Sequence, residues 1–371
     1  MVSWEKHLNG SVQQRATRRA TPTRRQALRL LGGGVGIALA GCVNQDDDPP
    51  TDEDENGDGP EDDDDEGEET NGNDAEDDGL GDENLEPPEN GAVVFVYDDG
   101  PKEDYTKAFP VHQEFDAPAT TGIITNRIGR SEDWMDVEQL RELDAAAWEI
   151  CSHTTAHTPV AAFEIKDAIG VDDAKIHAAE YRHGHSVGKE VEITDGDRSV
   201  LRTVDALGSD PGDRRVALTE PVGKVFDTSE AVIRYPAEYM REALGESKRI
   251  LEAYGFPIDT FLAPYDQFDS WSMEFIPDYY SGVANANHGE RVNYPGFDPY
   301  ETQRHYFIEF VDRSAVEADL DEIADEGALG VFGAHTFKDE VTQELIRETL
   351  EWVEDRGIEI MTLRDAFTHF T

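Results

Sequence analysis

The chain has 371 residues, enough for one large domain or two ordinary ones. It carries 82 acidic and 32 basic residues, which gives a formal net charge of −50. A surface of this charge repels nucleic acid and anionic lipid headgroups, so we exclude both as partners. Because concentrated salt screens the self-repulsion of such a surface, the composition predicts a protein of a halophilic, archaeal cell.

The first 42 residues predict an export and lipidation signal rather than a folded element. The segment Thr23-Arg24-Arg25-Gln26-Ala27-Leu28 resembles a twin-arginine export signal, and an apolar stretch at 30–41 follows it. That stretch is too short for a membrane-spanning helix, which needs about 20 residues. The segment Leu39-Ala40-Gly41-Cys42 resembles the lipobox of prokaryotic lipoproteins. We therefore expect a lipid on Cys42 to anchor the protein to the outer face of the cytoplasmic membrane, as its only membrane contact.

Residues 43–90 predict a disordered linker. They are mostly Asp, Glu, Gly, Asn and Pro, they hold 24 acidic residues, and they contain almost no apolar side chain. Such a segment buries too little apolar surface to offset the entropy lost on ordering. Since its like charges repel one another, we expect an extended tether between the lipid and the folded part.

The folded part is predicted to be residues 91–371, in which strands and helices alternate. Gly91–Tyr97 is a continuous apolar run, typical of a strand buried on both faces of a parallel sheet. The other predicted elements are strands at 120–124, 148–151, 260–263, 329–333 and 358–361, helices at 137–147, 239–254 and 339–356, and a short final helix. This alternation predicts a parallel α/β barrel, whose active site lies at the C-terminal ends of the strands.

Residues 161–235 interrupt the alternation. They contain short runs of β-branched residues separated by turns of Gly, Asp and Pro, which predict a small antiparallel β unit. The runs are 189–193, 200–204, 215–218, 224–226 and 232–235. We interpret the segment as a β-rich insertion in the barrel, and residues 165–181 as its helical lead-in.

Three groups of chemically active residues each follow a predicted strand, namely Asp98-Asp99, the pair His153 and His157, and His335. Two histidines four residues apart can face one way on a helical turn and bind one metal ion. A carboxylate completes a set of ligands that can hold a water molecule and lower its pKa. A second carboxylate can take the proton of that water, and a further histidine can protonate a leaving group.

These residues lie in motifs that resemble those of the polysaccharide deacetylase family, also called NodB-homology or carbohydrate esterase family 4. Val96-Tyr97-Asp98-Asp99-Gly100 resembles its first motif, TFDDG, and His153-Thr154-Thr155-Ala156-His157 resembles its second, H-[ST]-x-x-H. Phe261-Leu262-Ala263-Pro264-Tyr265 is similar to the third, R-x-P-Y, and Phe332-Gly333-Ala334-His335 falls at the position of the last. The resemblance covers about 91–160 and 236–371. It implies an irregular (β/α) barrel of about seven parallel strands.

The resemblance also implies roles for the matching positions. Asp98 would be the general base, and His335 would be the general acid. Asp99, His153 and His157 would bind a divalent metal ion, Zn²⁺. The implied reaction is attack of metal-bound water on an acetyl carbonyl of a carbohydrate polymer, which releases acetate.

The third and last motifs add one role and two departures. The backbone N–H of Tyr265 would help to hold the oxyanion of the tetrahedral intermediate. Leu262 or Ala263 stands where the third motif has an arginine that steadies the base, and Arg304 is the candidate replacement. Gly333 stands where a leucine is common, so we expect a wider acetyl pocket there.

Three functions agree with this sequence. Removal of N-acetyl groups from a surface or extracellular polysaccharide is favoured. Hydrolysis of O-acetyl esters or of a small amide on the same fold stays open, because of the altered position Leu262 and of the insertion. A catalytically inactive, glycan-binding surface lipoprotein is the third function, although the retention of Asp98 argues against it. Trp271, in the loop after Tyr265, is a candidate for stacking on a sugar ring.

Overall fold

The computed structural model describes residues 85–178, 184–208, 215–226, 230–288 and 292–371. The predicted signal at 1–42 and the predicted linker up to residue 84 lie outside these residues. The strands are β1 (Ala92–Tyr97), β2 (Thr120–Ile123), β3 (Glu149–Ser152), β4 (Phe163–Glu164), β5 (Lys175–His177), β6 (Glu190–Thr194), β7 (Ser199–Leu207), β8 (Arg215–Leu218), β9 (Val232–Arg234), β10 (Thr260–Phe261), β11 (Gly282–Val283), β12 (Asn287–His288), β13 (Gln303–Tyr306), β14 (Leu329–Ala334) and β15 (Glu359–Ile360). The helices are α1 (Phe109–Phe115), α2 (Val137–Ala145), α3 (Ala237–Ala253), α4 (Ser270–Met273), α5 (Arg313–Glu326), α6 (Gln343–Arg356) and α7 (Leu363–Phe370).

The larger sheet is parallel, which confirms the predicted fold class. Seven strands run side by side in the order β11-β10-β3-β2-β1-β14-β13, and the two-residue strands β12 and β15 pair with β13 and β1. Strands β11 and β12 lie at opposite ends of this strand order, yet both belong to the short segment 282–288. The two edges of the sheet are therefore close together, as in a barrel.

Strand β1 lies at the centre of this sheet and is buried along its whole length. It pairs with β14 in register from Ala92 opposite Leu329 to Tyr97 opposite Ala334. Its even-numbered side chains pack with those of other strands and α7, whereas its odd-numbered side chains pack with the outer helices. Because both faces are apolar, the strand can only lie between two packed layers, and its polar C-terminal continuation marks the open end of the barrel.

The smaller sheet is antiparallel and consists of six strands in the order β4-β9-β6-β7-β8-β5. The predicted helical lead-in at 165–181 is wrong, because the described part of that segment contains β5 and no helix. Around Ile176 exposed and buried side chains alternate, which suits a strand edge, and Gly170 disfavours a helix. The predicted run at 224–226 is not a strand either.

The helix ends follow their capping residues. α6 begins later than predicted because the Thr342 side chain accepts a hydrogen bond from the backbone N–H of Leu345, and it ends at Gly357 with φ 68°. Helix α5 has no counterpart among the predicted elements, although Val316 and Leu320 lie four residues apart on its buried face. In the described part of the chain, no helix is both long enough and apolar enough to cross a membrane.

Candidate active site

The residues singled out by the sequence meet at the C-terminal edge of the parallel sheet. Asp98 and Asp99 follow β1, His153 follows β3 and His335 follows β14. Since β1 pairs with β14 and only β2 separates it from β3, the three strand ends are neighbours. Parallel strands bring their C-terminal loops to one edge, which is why residues more than 200 positions apart share this site.

Asp99, His153 and His157 form a compact group of possible metal ligands. Asp99 Oδ1 lies 3.3 Å from Nε2 of His153 and 3.1 Å from Nε2 of His157. Those separations suit ligands that each bind one ion at about 2.0–2.2 Å. Asp99 Oδ1 is buried and accepts no hydrogen bond, so the group fits a divalent cation as its missing partner. Among the described residues, it is the one cluster of three potential ligands.

The surrounding contacts orient both imidazoles. Nδ1 of His153 donates a hydrogen bond to the carbonyl of Leu262 at 2.7 Å, which leaves its Nε2 as the acceptor that a metal requires. The ring of His157 packs against that of Tyr265, with centroids 4.1 Å apart. Burial lowers the pKa of His157 to about 3, so that ring is neutral and has a lone pair available. Burial raises the pKa of Asp99, but the two histidines lower it by a larger amount. The net pKa lies below the usual value, so the carboxylate stays ionised.

The backbone of this site is strained. Of the eight non-glycine residues with positive φ among the described residues, five lie here: Asp99, Thr154, His157, Tyr265 and Asp266. Each such residue costs on the order of 1 kcal/mol or more and persists only where surrounding contacts enforce it. Three of these residues are in contact, since Asp99 Oδ1 lies 3.1 Å from Nε2 of His157 and the His157 ring packs against that of Tyr265.

Asp98 lies beside this group and forms a buried ion pair. Its Oδ1 accepts a hydrogen bond from Nη2 of Arg304 at 2.5 Å, and the Arg304 side chain is 1% exposed. Nη1 of Arg304 also donates to Asp266 Oδ1 at 3.1 Å, and Tyr306 donates to Asp266 Oδ2 at 2.6 Å. The candidate replacement for the missing arginine therefore reaches the candidate base from β13, while Leu262 packs in the apolar interior.

Gly333 makes room for this arginine. A Cβ atom at Gly333 would lie 1.9 Å from Nη2 and 2.3 Å from Cζ of Arg304. The expectation of a wider acetyl pocket at Gly333 is therefore wrong, because the guanidinium fills the space that a side chain would take. The two departures from the family pattern are therefore linked. The third motif lacks its arginine because Arg304 of β13 takes that place, and the last motif has Gly333 because a side chain there would collide with Arg304.

Asp98 also faces the candidate acid. Its Oδ2 lies 3.7 Å from Nε2 of His335, whose Nδ1 forms a short hydrogen bond with Glu309. Glu309 is buried and its other oxygen lies 3.3 Å from Nζ of Lys338. Burial lowers the pKa of His335, but the charges of Asp98 and Glu309 raise it by a larger amount. The net pKa therefore lies above its usual 6.5. Burial raises the pKa of Asp98, and Arg304 and His335 oppose that rise.

Sequence reasoning missed Glu309 and Asp104. Glu309 follows the apolar run at 306–308 as Asp98 follows β1, and that pattern was the available signal. Asp104 is buried beneath the site and accepts hydrogen bonds from Thr121 at 2.7 Å and Thr336 at 2.6 Å. Burial raises its pKa to about 8. No local signal marks Asp104, because its partners belong to other elements: Thr121 lies on β2 and Thr336 in the loop after β14.

The suggested sugar platform at Trp271 is wrong. Trp271 is only 7% exposed, and the guanidinium of Arg234 lies 3.4 Å from its ring centroid. The exposed rings near the site are instead Phe310, which is 73% exposed, and Phe337, which is 45% exposed and lies 5.5 Å from the ring of His335.

The fold is a parallel α/β barrel, and two histidines and a carboxylate lie together at its C-terminal edge, as in a metal-binding α/β-barrel protein. A family model described as polysaccharide deacetylase matches residues 86–274, just over half of the chain. The chain therefore belongs to the polysaccharide deacetylase family. Arg304 and His335 lie beyond the matched residues, and no curated protein matches the chain.

Several solved structures resemble this one at low identity. A carbohydrate esterase family 4 domain of a xylanase from the hindgut metagenome of Trinervitermes trinervoides is 11% identical, with a TM-score of 0.40, over 75% of this chain and 90% of that one. A family 4 acetyl xylan esterase from Clostridium thermocellum, in complex with cobalt, is 12% identical, with a TM-score of 0.39, over 75% and 90%. A family 4 pseudoenzyme from Bacillus anthracis is 10% identical, with a TM-score of 0.37, over 75% and 66%.

We predict that Gly333→Ala destabilises the fold by about 3 kcal/mol, because displacing the guanidinium leaves the buried Asp98 without its ion-pair partner. Gly330→Ala on the same strand is the matched control. Its Cβ would clash with the end of the Ile323 side chain and make an ordinary contact with Phe332, so a loss of about 1 kcal/mol is expected. Urea unfolding in molar salt measures both, and equal losses would contradict the proposed packing.

We predict that Glu309→Gln lowers the pKa of His335. The negative charge of Glu309 stabilises the imidazolium, so its removal makes the ring lose its proton at lower pH. An NMR titration of the ring protons in the metal-free protein measures this, with the exposed Glu340→Gln as control. An unchanged His335 titration in Glu309→Gln would show that Glu309 does not set its charge state.

Proposed function

We propose that the protein is a metal-dependent hydrolase that removes N-acetyl groups from a surface or extracellular polysaccharide, by breaking a non-peptide carbon–nitrogen bond. One observation carries this proposal: Asp98 contacts Arg304 and faces His335, directly beside the three possible metal ligands. A binding site for a metal alone has no need of a buried base between an arginine and a protonated histidine. Membership of the polysaccharide deacetylase family supports deacetylation of a carbohydrate.

Asp99, His153 and His157 would hold the ion, and Zn²⁺ suits two imidazoles and a carboxylate. When bound, the ion would lower the pKa of water and polarise the acetyl carbonyl. Asp98 accepts the proton that the attacking water gives up. Because Arg304 favours the ionised form, Asp98 can act as a base although it is buried.

His335 supplies the proton that the leaving nitrogen needs. The charges of Asp98 and Glu309 raise its pKa and so favour the protonated imidazole, and the hydrogen bond to Glu309 fixes the ring with Nε2 toward Asp98. The backbone N–H of Tyr265 would help to hold the oxyanion, and the contact of the Tyr265 ring with His157 supports this role. The proton from water goes to Asp98, the proton of His335 goes to the nitrogen, and acetate and a free amine leave.

Acetate release tests this function. The protein is chelated, held in molar salt, and assayed with acetylated chitooligosaccharides and acetylated xylan, with and without added Zn²⁺. We expect release from the chitooligosaccharides only when the metal is restored. Release from xylan alone would favour O-acetyl hydrolysis. No release from either polymer, with one metal ion tightly bound, would favour a small-amide substrate or an inactive glycan-binding protein.

We predict that Asp98→Asn lowers kcat by about 10²–10⁴-fold, the usual contribution of a general base, without loss of the metal. Zinc content after gel filtration and kcat on the preferred substrate measure the two effects. The exposed Asp144→Asn is the control for the change in charge. Full activity in Asp98→Asn would rule out Asp98 as the base.

We also propose that the protein is exported by the twin-arginine route and anchored outside the cell by a lipid on Cys42. The order of the twin-arginine segment, the apolar stretch and the lipobox supports this. Replacing Cys42 with alanine is expected to release the protein from membranes into the medium, and replacing Arg24 and Arg25 with lysine is expected to keep it in the cytoplasm. Fractionation and immunoblotting measure both, and membrane retention of Cys42→Ala would contradict the lipid anchor.

A further inference from the structure

The loop that follows β2 is fixed to the loop that contains two of the possible metal ligands. The backbone N–H of Thr125 donates to the carbonyl of Thr154 at 3.3 Å, and that of Asn126 donates to the carbonyl of Thr155 at 3.0 Å. Thr154 and Thr155 lie between His153 and His157. The next residue, Arg127, is therefore held at the rim of the site by backbone contacts.

Arg127 is stacked on an aromatic ring at this rim. Its guanidinium carbon lies 4.4 Å from the ring centroid of Trp134. Trp134 is bridged to Pro101, and the neighbouring Asp133 carbonyl accepts a hydrogen bond from the backbone N–H of Lys102 at 2.8 Å. The stacked pair thus lies between the loop after Asp98-Asp99 and the loop of the two histidines. Stacking removes rotational freedom from the guanidinium and leaves its N–H groups at the ring edge available as donors.

Arg127 lacks the acidic partner that most of the described arginines have. Within the ranges that the structure describes, no carboxylate or carbonyl accepts a hydrogen bond from its side chain. Arginines elsewhere on the surface pair with a glutamate or aspartate, namely Arg141, Arg249, Arg347 and Arg356. The chain has 82 acidic residues, so an arginine that pairs with none of the described ones is unusual in this protein. Its guanidinium is available to an anion from outside the chain.

The position of Arg127 brings its charge to the edge of the site. Its loop is hydrogen-bonded to the loop of His153 and His157, and its guanidinium is stacked on Trp134, beside the loop that follows Asp99. A substrate that reaches the possible metal ligands between these two loops would pass this guanidinium.

We propose that Arg127, stacked on Trp134, binds an anionic substituent of the substrate, so that the polysaccharide is acidic. A planar guanidinium binds a carboxylate or a sulfate ester through two parallel hydrogen bonds, and both groups occur on sugars. In molar salt only such direct contact remains, because long-range attraction is screened. This inference rests on the proposed deacetylation and names its substrate class.

Matched substrates test the inference. Oligosaccharides of alternating N-acetylglucosamine and glucuronate are compared with the same oligosaccharides after their carboxylates are reduced to alcohols, all in molar salt. We expect the wild-type protein to have the lower KM on the acidic substrate. Arg127→Gln is expected to raise KM on the acidic substrate about tenfold to a hundredfold more than on the reduced one, as loss of a charge-assisted contact predicts. A sulfated oligosaccharide tests whether the anion is a sulfate ester instead.

Arg130→Gln is the matched control, because it removes an exposed arginine from the same loop and should change neither KM. Equal losses of Arg127→Gln on both substrates would show a structural role and overturn the inference, as would equal KM values of the wild type on both. Calorimetric binding to Asp98→Asn protein, with and without Arg127→Gln, gives a readout independent of turnover. If no acetate is released but binding of the acidic oligosaccharide still depends on Arg127, the deacetylation fails and the anion site stands.

Discussion

The buried ion pair of Arg304 and Asp98 is the constraint on which the site depends. A guanidinium that is 1% exposed is costly unless it is paired, and here the carboxylates of Asp98 and Asp266 accept hydrogen bonds from its two Nη atoms. The pair in turn fixes what its neighbours can be. Position 333 must lack a side chain, and β13 must lie beside β14 so that Arg304 reaches across the end of that strand.

The parallel sheet and the strained loops contribute differently to the site. The sheet supplies rigidity, because β1 and β14 are buried along their whole lengths and pair over six residues. The loops supply direction, since a positive φ at Asp99 and at His157 turns the two side chains toward each other. Strain in the loops persists because the strands beneath them are too tightly packed to relax.

The distribution of charge gives the site a character unlike that of the rest of the chain. In the part of the chain that the structure describes, the surface residues Arg141, Arg249, Arg347 and Arg356 pair with acidic side chains, whereas the two arginines at the site have other surroundings. Arg304 is committed to Asp98, whereas Arg127 is stacked on an aromatic ring at the rim. The family supplies deacetylation as the general chemistry, and the charges that line the rim bear on which polymer the protein accepts.

The sequence by itself determined which residues could react. Asp98, Asp99, His153, His157 and His335 each follow an apolar run, and because local patterns set the strands, the strand ends could be located from the sequence. It also marked Arg304 as a candidate. Only the tertiary structure decided what surrounds them: the contact between Arg304 and Asp98 joins positions 206 residues apart, and Glu309 reaches His335 from another loop. Such contacts depend on the packing order of strands, which no short sequence pattern encodes. For the same reason the space at Gly333 was misjudged.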